Sequence, residues 1–284
     1  MDGKYTIRIF LAEGNPTGLR TLETMNWGGR GIIIPRESMD VSQSRDDLEA
    51  QGVYFLLGEN EETGEAMLYI GETENLKNRI KEHNRTKDFW STAICFFSTQ
   101  GSLNKAHAKF LEELLITEAK QAGRVKIENS THPGQTKLSE SEEADVRVFG
   151  EYIKLMLSSI GYTFLKSLKV DENEKGDIYL CEGPDASARA IYTSEGLVVL
   201  EGSKARKEVS IGSKEYFTKL RPILVENGTL KEEGVSYVFT KDTLFNSPST
   251  AAQNVLGRNA NGWTEWKRES DKKTLDAVVR KSER

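Results

Sequence analysis

Tyr54, Tyr69, Arg79, His83, Glu112 and Asn129 are the side chains whose types and spacing could do chemistry together. They do not form a zinc set: Cys95 and Cys181 are too far apart for a metal spacing, and His83, His107 and His132 are too scattered. No serine sits in a nucleophile elbow. A single carboxylate on a helix suits a hard, well-hydrated cation such as Mg²⁺, which takes few protein oxygens and completes its shell with phosphate and water. An arginine nearby suits negative charge developing on phosphate. A tyrosine can pass a proton if a metal's field lowers its pKa. Together these groups suggest metal-assisted phosphodiester hydrolysis.

The elements that must position them can be read from pattern. Gly52 to Leu57 and Ala66 to Ile70 are apolar and β-prone, and the polar stretch between them, bounded by Gly58 and Gly64, reads as a hairpin loop. Tyr54 and Tyr69 then stand on neighbouring strands. Thr73 reads as the N-cap of a following helix, in which Leu76 and Ile80 form the buried stripe. Asn75, Arg79 and His83 recur at spacing four and share a second face of that helix. Trp90 to Phe97 is a third strand. Ser102 to Gln121 is a helix with Gly123 as its C-cap and Leu103, Phe110, Leu111, Leu114 and Leu115 as its core stripe. Glu112 faces Ala108, Leu115, Ile116 and Ala119, where a lone carboxylate is costly. Two readings of it stand: an edge glutamate whose head reaches solvent, or a group that holds a cation. His107 reads as a core-edge histidine. Val125 to Asn129 is a short strand ending in asparagine.

The chain has 284 residues, is 29% charged and 37% apolar, and carries a net charge of −5. This is ordinary composition for a folded protein, and mildly against a nucleic-acid partner, although Lys77, Arg79, Lys81, Arg85 and Lys87 crowd one short helix. No apolar run approaches the ~20 residues that span a bilayer, and the N-terminus lacks a secretory pattern. Two isolated cysteines fit a reducing cytoplasm. In the first 48 residues, Thr6 to Leu11 and Gly31 to Pro35 read as strands, and Gly18 to Trp27 as a short helix. The Gly28-Gly29-Arg30-Gly31 piece lacks the P-loop ending and reads as a flexible strand connection rather than a phosphate cradle. Asp40 to Gln51 reads as a capped helix and Glu140 to Ile160 as an amphipathic one. Val170 to Gly183 reads as a linker. Beyond it lie a hairpin over 188–201, a helix over 213–226, a strand over 236–239, a helix capped by Ser247-Pro248, a turn at Asn261-Gly262-Trp263 leading to a final strand, and a charged tail from Ser270.

Gly52-Val53-Tyr54, Tyr69-Ile70-Gly71, Arg79, His83, Glu112 and Asn129, in that order over residues 50 to 130, resemble the GIY-YIG nuclease family, with valine in place of the first isoleucine. The resemblance implies an α+β domain with a three-stranded antiparallel sheet flanked by helices, and DNA cleavage with one Mg²⁺ or Mn²⁺. It implies Tyr54 as general base and Tyr69 at the scissile phosphate or the water. Arg79 would stabilise the pentacovalent charge, with Lys77 beside it on the nucleic acid. His83 would support the water network, Glu112 would hold the metal, and Asn129 would fix local backbone. The C-terminal third resembles a small α+β module appended to restriction and DNA-modification proteins, which puts Arg258, Asn259 and Asn261 forward as DNA contacts. In the alternative reading Trp263 and Trp266 are plain core. The organisation expected is an extension over 1–48, a nuclease domain over 49–168, a linker over 169–184, a DNA-reading domain over 185–269 and a tail over 270–284. The function expected is a cytoplasmic DNA endonuclease in restriction or anti-phage defence, acting on duplex, single-stranded or modified DNA. The alternatives are a non-catalytic nucleic-acid-binding scaffold of the same fold and a nuclease for RNA or branched DNA.

Overall fold

The structure, a computed structural model, describes residues 4–61, 64–129, 136–166, 176–210 and 214–281, the side chains of 214–219 excepted. His132 and the first part of the expected linker lie outside them. The chain is of the α+β class and divides into two compact units, Met1–Ser167 and Leu168–Arg284.

The first unit contains strands β1 (Arg8–Leu11), β2 (Arg20–Glu23), β3 (Gly29–Pro35), β4 (Gly52–Glu59), β5 (Ala66–Thr73), β6 (Trp90–Ser98) and β7 (Lys126–Ile127), and helices α1 (Met39–Gln43), α2 (Leu76–Thr86), α3 (Lys105–Ala122) and α4 (Glu140–Ser159). In place of a three-stranded sheet, the described residues form one of seven strands in the order β1-β2-β3-β6-β4-β5-β7, in which β6, β4 and β5 are antiparallel neighbours. Residues 1–48 are therefore no extension. β3 pairs with β6 from Gly29↔Ser98 to Pro35↔Thr92, and the segment read as a helix over Gly18 to Trp27 contains β2 instead. The reason is burial: Leu19 and Leu22 point to opposite faces of the sheet and both are fully buried, which a strand allows. From Gly29 on, the glycine-rich piece is also strand. A Cβ on Gly29 would lie 2.3 Å from the Trp27 ring and one on Gly31 2.7 Å from the Phe96 ring, so these glycines admit aromatic neighbours. Asp40 to Gln51 resolves into α1 and a separate 3-10 turn, Asp46–Leu48.

The sheet sorts its side chains by alternation. Val53, Phe55, Leu68, Ile70, Ile94 and Phe96 join Leu111, Leu115, Ile116, Val146, Ile153 and Leu157 in one core with α3 and α4. Tyr54, Leu56, Ala93, Cys95 and Phe97 join Leu76, Ile80, Met39 and Leu48 in another with α1 and α2. Helix α3 ends at Gly123, whose φ of 60° accommodates the left-handed cap.

In the second unit, β8 (Ile178–Gly183), β9 (Ala186–Thr193), β10 (Gly196–Val199), β11 (Lys204–Arg206), β12 (Leu230–Glu233), β13 (Ser236–Phe239), β14 (Thr243–Phe245) and β15 (Lys267–Arg268) form one sheet, with helices α5 (Lys214–Glu226), α6 (Pro248–Leu256) and α7 (Gly262–Glu265). The linker expected over 169–184 therefore ends early: β8 begins at Ile178 because Tyr179 and Cys181 are buried against β9. The expected tail is also partly docked, since Leu275 is fully buried and its N–H donates to the Trp266 carbonyl.

At Gly58, where β4 breaks register against β6, a Cβ would sit 1.8 Å from the Phe89 carbonyl oxygen; at Gly28 the nearest atom would be 3.5 Å away. Gly58→Ala is expected to destabilise the protein by about 2–3 kcal/mol, and Gly28→Ala by less than about 0.5, in urea unfolding.

Candidate functional site

Tyr54 is fully buried, and its position in β4 places it opposite Gly71 in β5. A Cβ on Gly71 would lie 2.3 Å from the Tyr54 hydroxyl, so the absent side chain is what lets that hydroxyl cross the neighbouring strand. Beyond Gly71 it meets α2. Arg79 Nε donates to the Tyr54 oxygen at 3.2 Å, and His83 Nε2 lies 2.8 Å from it. Because Arg79 occupies an acceptor position on the oxygen, the phenolic proton is free to point at His83 Nε2. Tyr69 stands on the same face, its ring 6.1 Å from that of Tyr54 and 5.4 Å from His83, with the Lys87 ammonium 4.6 Å over it. The two tyrosines, Arg79 and His83 are thus brought together as their spacing implies.

Helix α2 begins differently from expectation. β5 runs on through Thr73, so the cap falls to Asn75, whose Oδ1 accepts the Asn78 N–H at 2.9 Å. Thr73 Oγ1 accepts the Asn75 N–H instead. Asn75 is thereby committed to positioning α2. Asn129 holds the other side of β5: its Oδ1 accepts the Ile70 N–H at 3.1 Å and its Nδ2 donates to the Ile70 carbonyl at 2.7 Å. It prolongs the parallel pairing of β7 by one side chain and fixes the backbone just before Gly71.

Electrostatics separate the groups. Burial holds the Tyr54 hydroxyl well above its ordinary pKa, and Tyr69 adds to this. Burial, then the charges of Arg79 and Lys87, push the His83 imidazole down to about 4, so it is neutral near pH 7; its Nδ1 is buried without a partner among the described residues. Glu112, half-buried on α3, is pushed up to about 7 by burial and by the neighbouring carboxylate of Glu72, while a hydrogen bond from the Glu72 backbone and the charge of Arg79 act the other way. Glu72 Oε2 is itself buried without a hydrogen-bond partner among the described residues. Sequence reasoning missed Glu72; it follows Gly71 directly, and strand alternation after Ile70 was the signal that aims it at α3. No group of three or more His, Cys, Asp or Glu stands together among the described residues. Glu112 and Glu72 do fit a hard cation, which needs only one or two protein oxygens, and an orphaned buried carboxylate oxygen is a donor such an ion would satisfy.

The nucleic-acid candidates are engaged within the chain. Lys77 Nζ is 2.8 Å from Glu49 and 3.8 Å from Asp46, and would have to leave both to meet a phosphate. Arg258 pairs with Glu265 at 2.8 Å, Asn261 caps α7 by accepting the Trp263 N–H, and Asn259 is exposed. Trp266 is core, its indole N–H donating to the Pro248 carbonyl at 3.0 Å. Trp263 is half-buried against Tyr192, with the Arg280 guanidinium 3.5 Å over its ring. His107 completes the capping box of α3 with Asn104.

Residues 179–279, within the second unit, match a family described as a domain of unknown function (DUF4357), over a little more than a third of the chain. Comparison with curated proteins gives no match, and comparison with solved structures gives none.

Two opposed pH dependences follow. The unfolded chain protonates His83 near 6.5 and the fold resists to about 4, so the stability from this group is complete above 6.5 and lost as pH falls. Glu112 is raised from 4.5 to about 7, so its contribution is complete below 4.5 and lost as pH rises. Urea midpoints between pH 4.5 and 6.5 should therefore climb more steeply with pH in Glu112→Gln than in wild type, and less steeply in His83→Gln.

Proposed function

We propose that the first unit is a divalent-metal-dependent DNA endonuclease of the GIY-YIG type, serving restriction or anti-phage defence from the cytoplasm, and that the second unit reads DNA. The observation that carries the reading is the convergence of the Tyr54 hydroxyl, Arg79 Nε and neutral His83 at Gly71. In this reading Tyr54 does not ionise unaided, because burial opposes it. Arg79 Nε already donates to its oxygen and His83 Nε2, 2.8 Å away, holds the hydroxyl in place; with the charge of a bound cation beside them the Tyr54 proton would pass to solvent, and the phenolate would then take a proton from an attacking water. Arg79 also gives Nη1 to Glu82. Its Nη2 makes no hydrogen bond among the described residues and is left for a non-bridging phosphate oxygen. Tyr69, half-buried beside Tyr54, orients phosphate or water. Glu112 and Glu72 would hold Mg²⁺ or Mn²⁺, which supplies charge neutralisation at the scissile phosphate.

A second reading, a nucleic-acid-binding scaffold that does not cut, draws on the complete burial of Tyr54. Cleavage of duplex, single-stranded and modified DNA, and of RNA and branched DNA, with Mg²⁺ or Mn²⁺ decides between them. Wild type is expected to cut DNA, with Glu112→Ala and Arg79→Ala slower by at least about a hundredfold. Equal cutting by all three proteins would sink the catalytic reading, and binding without cutting by wild type would favour the scaffold.

A further inference from the structure

Away from the tyrosines, at the ends of β3 and β6, lies a cavity of about 600 Å³ lined by Arg20, Arg36, Trp90, Thr92 and the loop residues Pro16 and Thr17, with Ser91 and exposed Glu37 also on its wall. Its two arginines differ. Arg36 is clamped: it donates to Asn84 Oδ1 and to the carbonyls of Asn84, Asp88 and Trp90, and lies 4.9 Å over the Trp90 ring. The Arg20 side chain has no hydrogen bond or ion pair among the described residues, although its Nε is buried. Other half-buried arginines of this unit are matched, Arg30 to Glu23 and Asp47, and Arg45 to Asp47. A charged donor partly taken from water without a partner is costly, and a ligand that completes it recovers that cost.

We propose that this cavity is a phosphate-binding site in which Arg20 is the recognition residue. A guanidinium presents parallel N–H groups along one edge, a geometry suited to two oxygens of one oxyanion. Arg36 adds a second, fixed positive charge, only loosely paired with the exposed Asp88 at 3.8 Å, and Thr92 lines the same wall. Two cationic groups favour phosphate over a singly charged carboxylate. The volume exceeds one phosphate ion, so the group can belong to a larger molecule, either a terminal phosphate monoester or a backbone phosphodiester. The site is independent of the nuclease reading.

Calorimetric titration of inorganic phosphate into the full chain tests this, with acetate as the carboxylate control. Wild type should bind phosphate more tightly than acetate. Arg20→Gln should weaken phosphate binding by about tenfold or more, and Arg20→Lys by less. The unfolding midpoint of Arg20→Gln without phosphate should be unchanged or raised, since the variant loses an unsatisfied group; if it does not fold, Arg20→Lys carries the test. A short oligonucleotide with and without a 5′-phosphate separates the sources: Arg20-dependent binding that needs the terminal phosphate assigns a monoester, and equal Arg20-dependent binding of both assigns the backbone. No binding of phosphate by wild type, equal binding by wild type and the Arg20 variants, or acetate binding as tight as phosphate would overturn the proposal.

Discussion

A phenol buried in the middle of a sheet must find its hydrogen-bond partners within reach, and in this protein Gly71 decides where they are. Tyr54 is fully buried and its hydroxyl crosses β5 over the one position without a Cβ. Everything nearby is set by that crossing. Asn129 pins the backbone of Ile70 before the gap, Asn75 starts α2 beyond it, and α2 delivers Arg79 and His83 to the hydroxyl one turn apart. Arg79 donates to the oxygen, which leaves the proton for an imidazole that burial keeps neutral. The hydrogen bonds that make the buried tyrosine tolerable are the same ones that would let it move a proton.

The acidic half of the site obeys a different constraint. Glu112 on α3 and Glu72 on β5 are neighbours, and burial, with the Glu72 charge added to it, pushes the Glu112 carboxyl up to about 7. Such a pair is poorly satisfied by the protein alone, and Arg79, whose charge acts on both Tyr54 and Glu112, links the two halves. The cost of these arrangements is borne by two cores, one on each face of the sheet.

Much of this was legible in residue patterns. The alternation of β4 and β5, the spacing of Arg79 and His83, and the apolar surroundings of Glu112 are local properties that survive folding. What was not legible depended on partners distant in sequence. Leu19 and Leu22 suit a helix as well as a strand until β3 lies beside them, so β2 and the seven-stranded sheet were missed. Thr73 looked like a cap because nothing local says that β5 continues through it. Glu72 drew no attention as one acid among several, since only the position of α3 gives it meaning. Lys77 and Arg258 read as free charges in a sequence, while Glu49 and Glu265 meet them in the fold. The segment from Ser270 reads as a charged tail because its charges hide Leu275, which the second core buries.

Removing one oxygen atom tests the central claim most directly. Tyr54→Phe keeps the ring that fills the sheet and deletes the hydroxyl that joins Arg79 to His83. Single-turnover cleavage of duplex DNA with Mg²⁺ should fall by at least about a hundredfold in this variant, with folding intact by circular dichroism and with DNA binding retained. Cleavage at the wild-type rate by folded Tyr54→Phe would contradict the account, because the hydroxyl around which the site is arranged would then have no part in the chemistry.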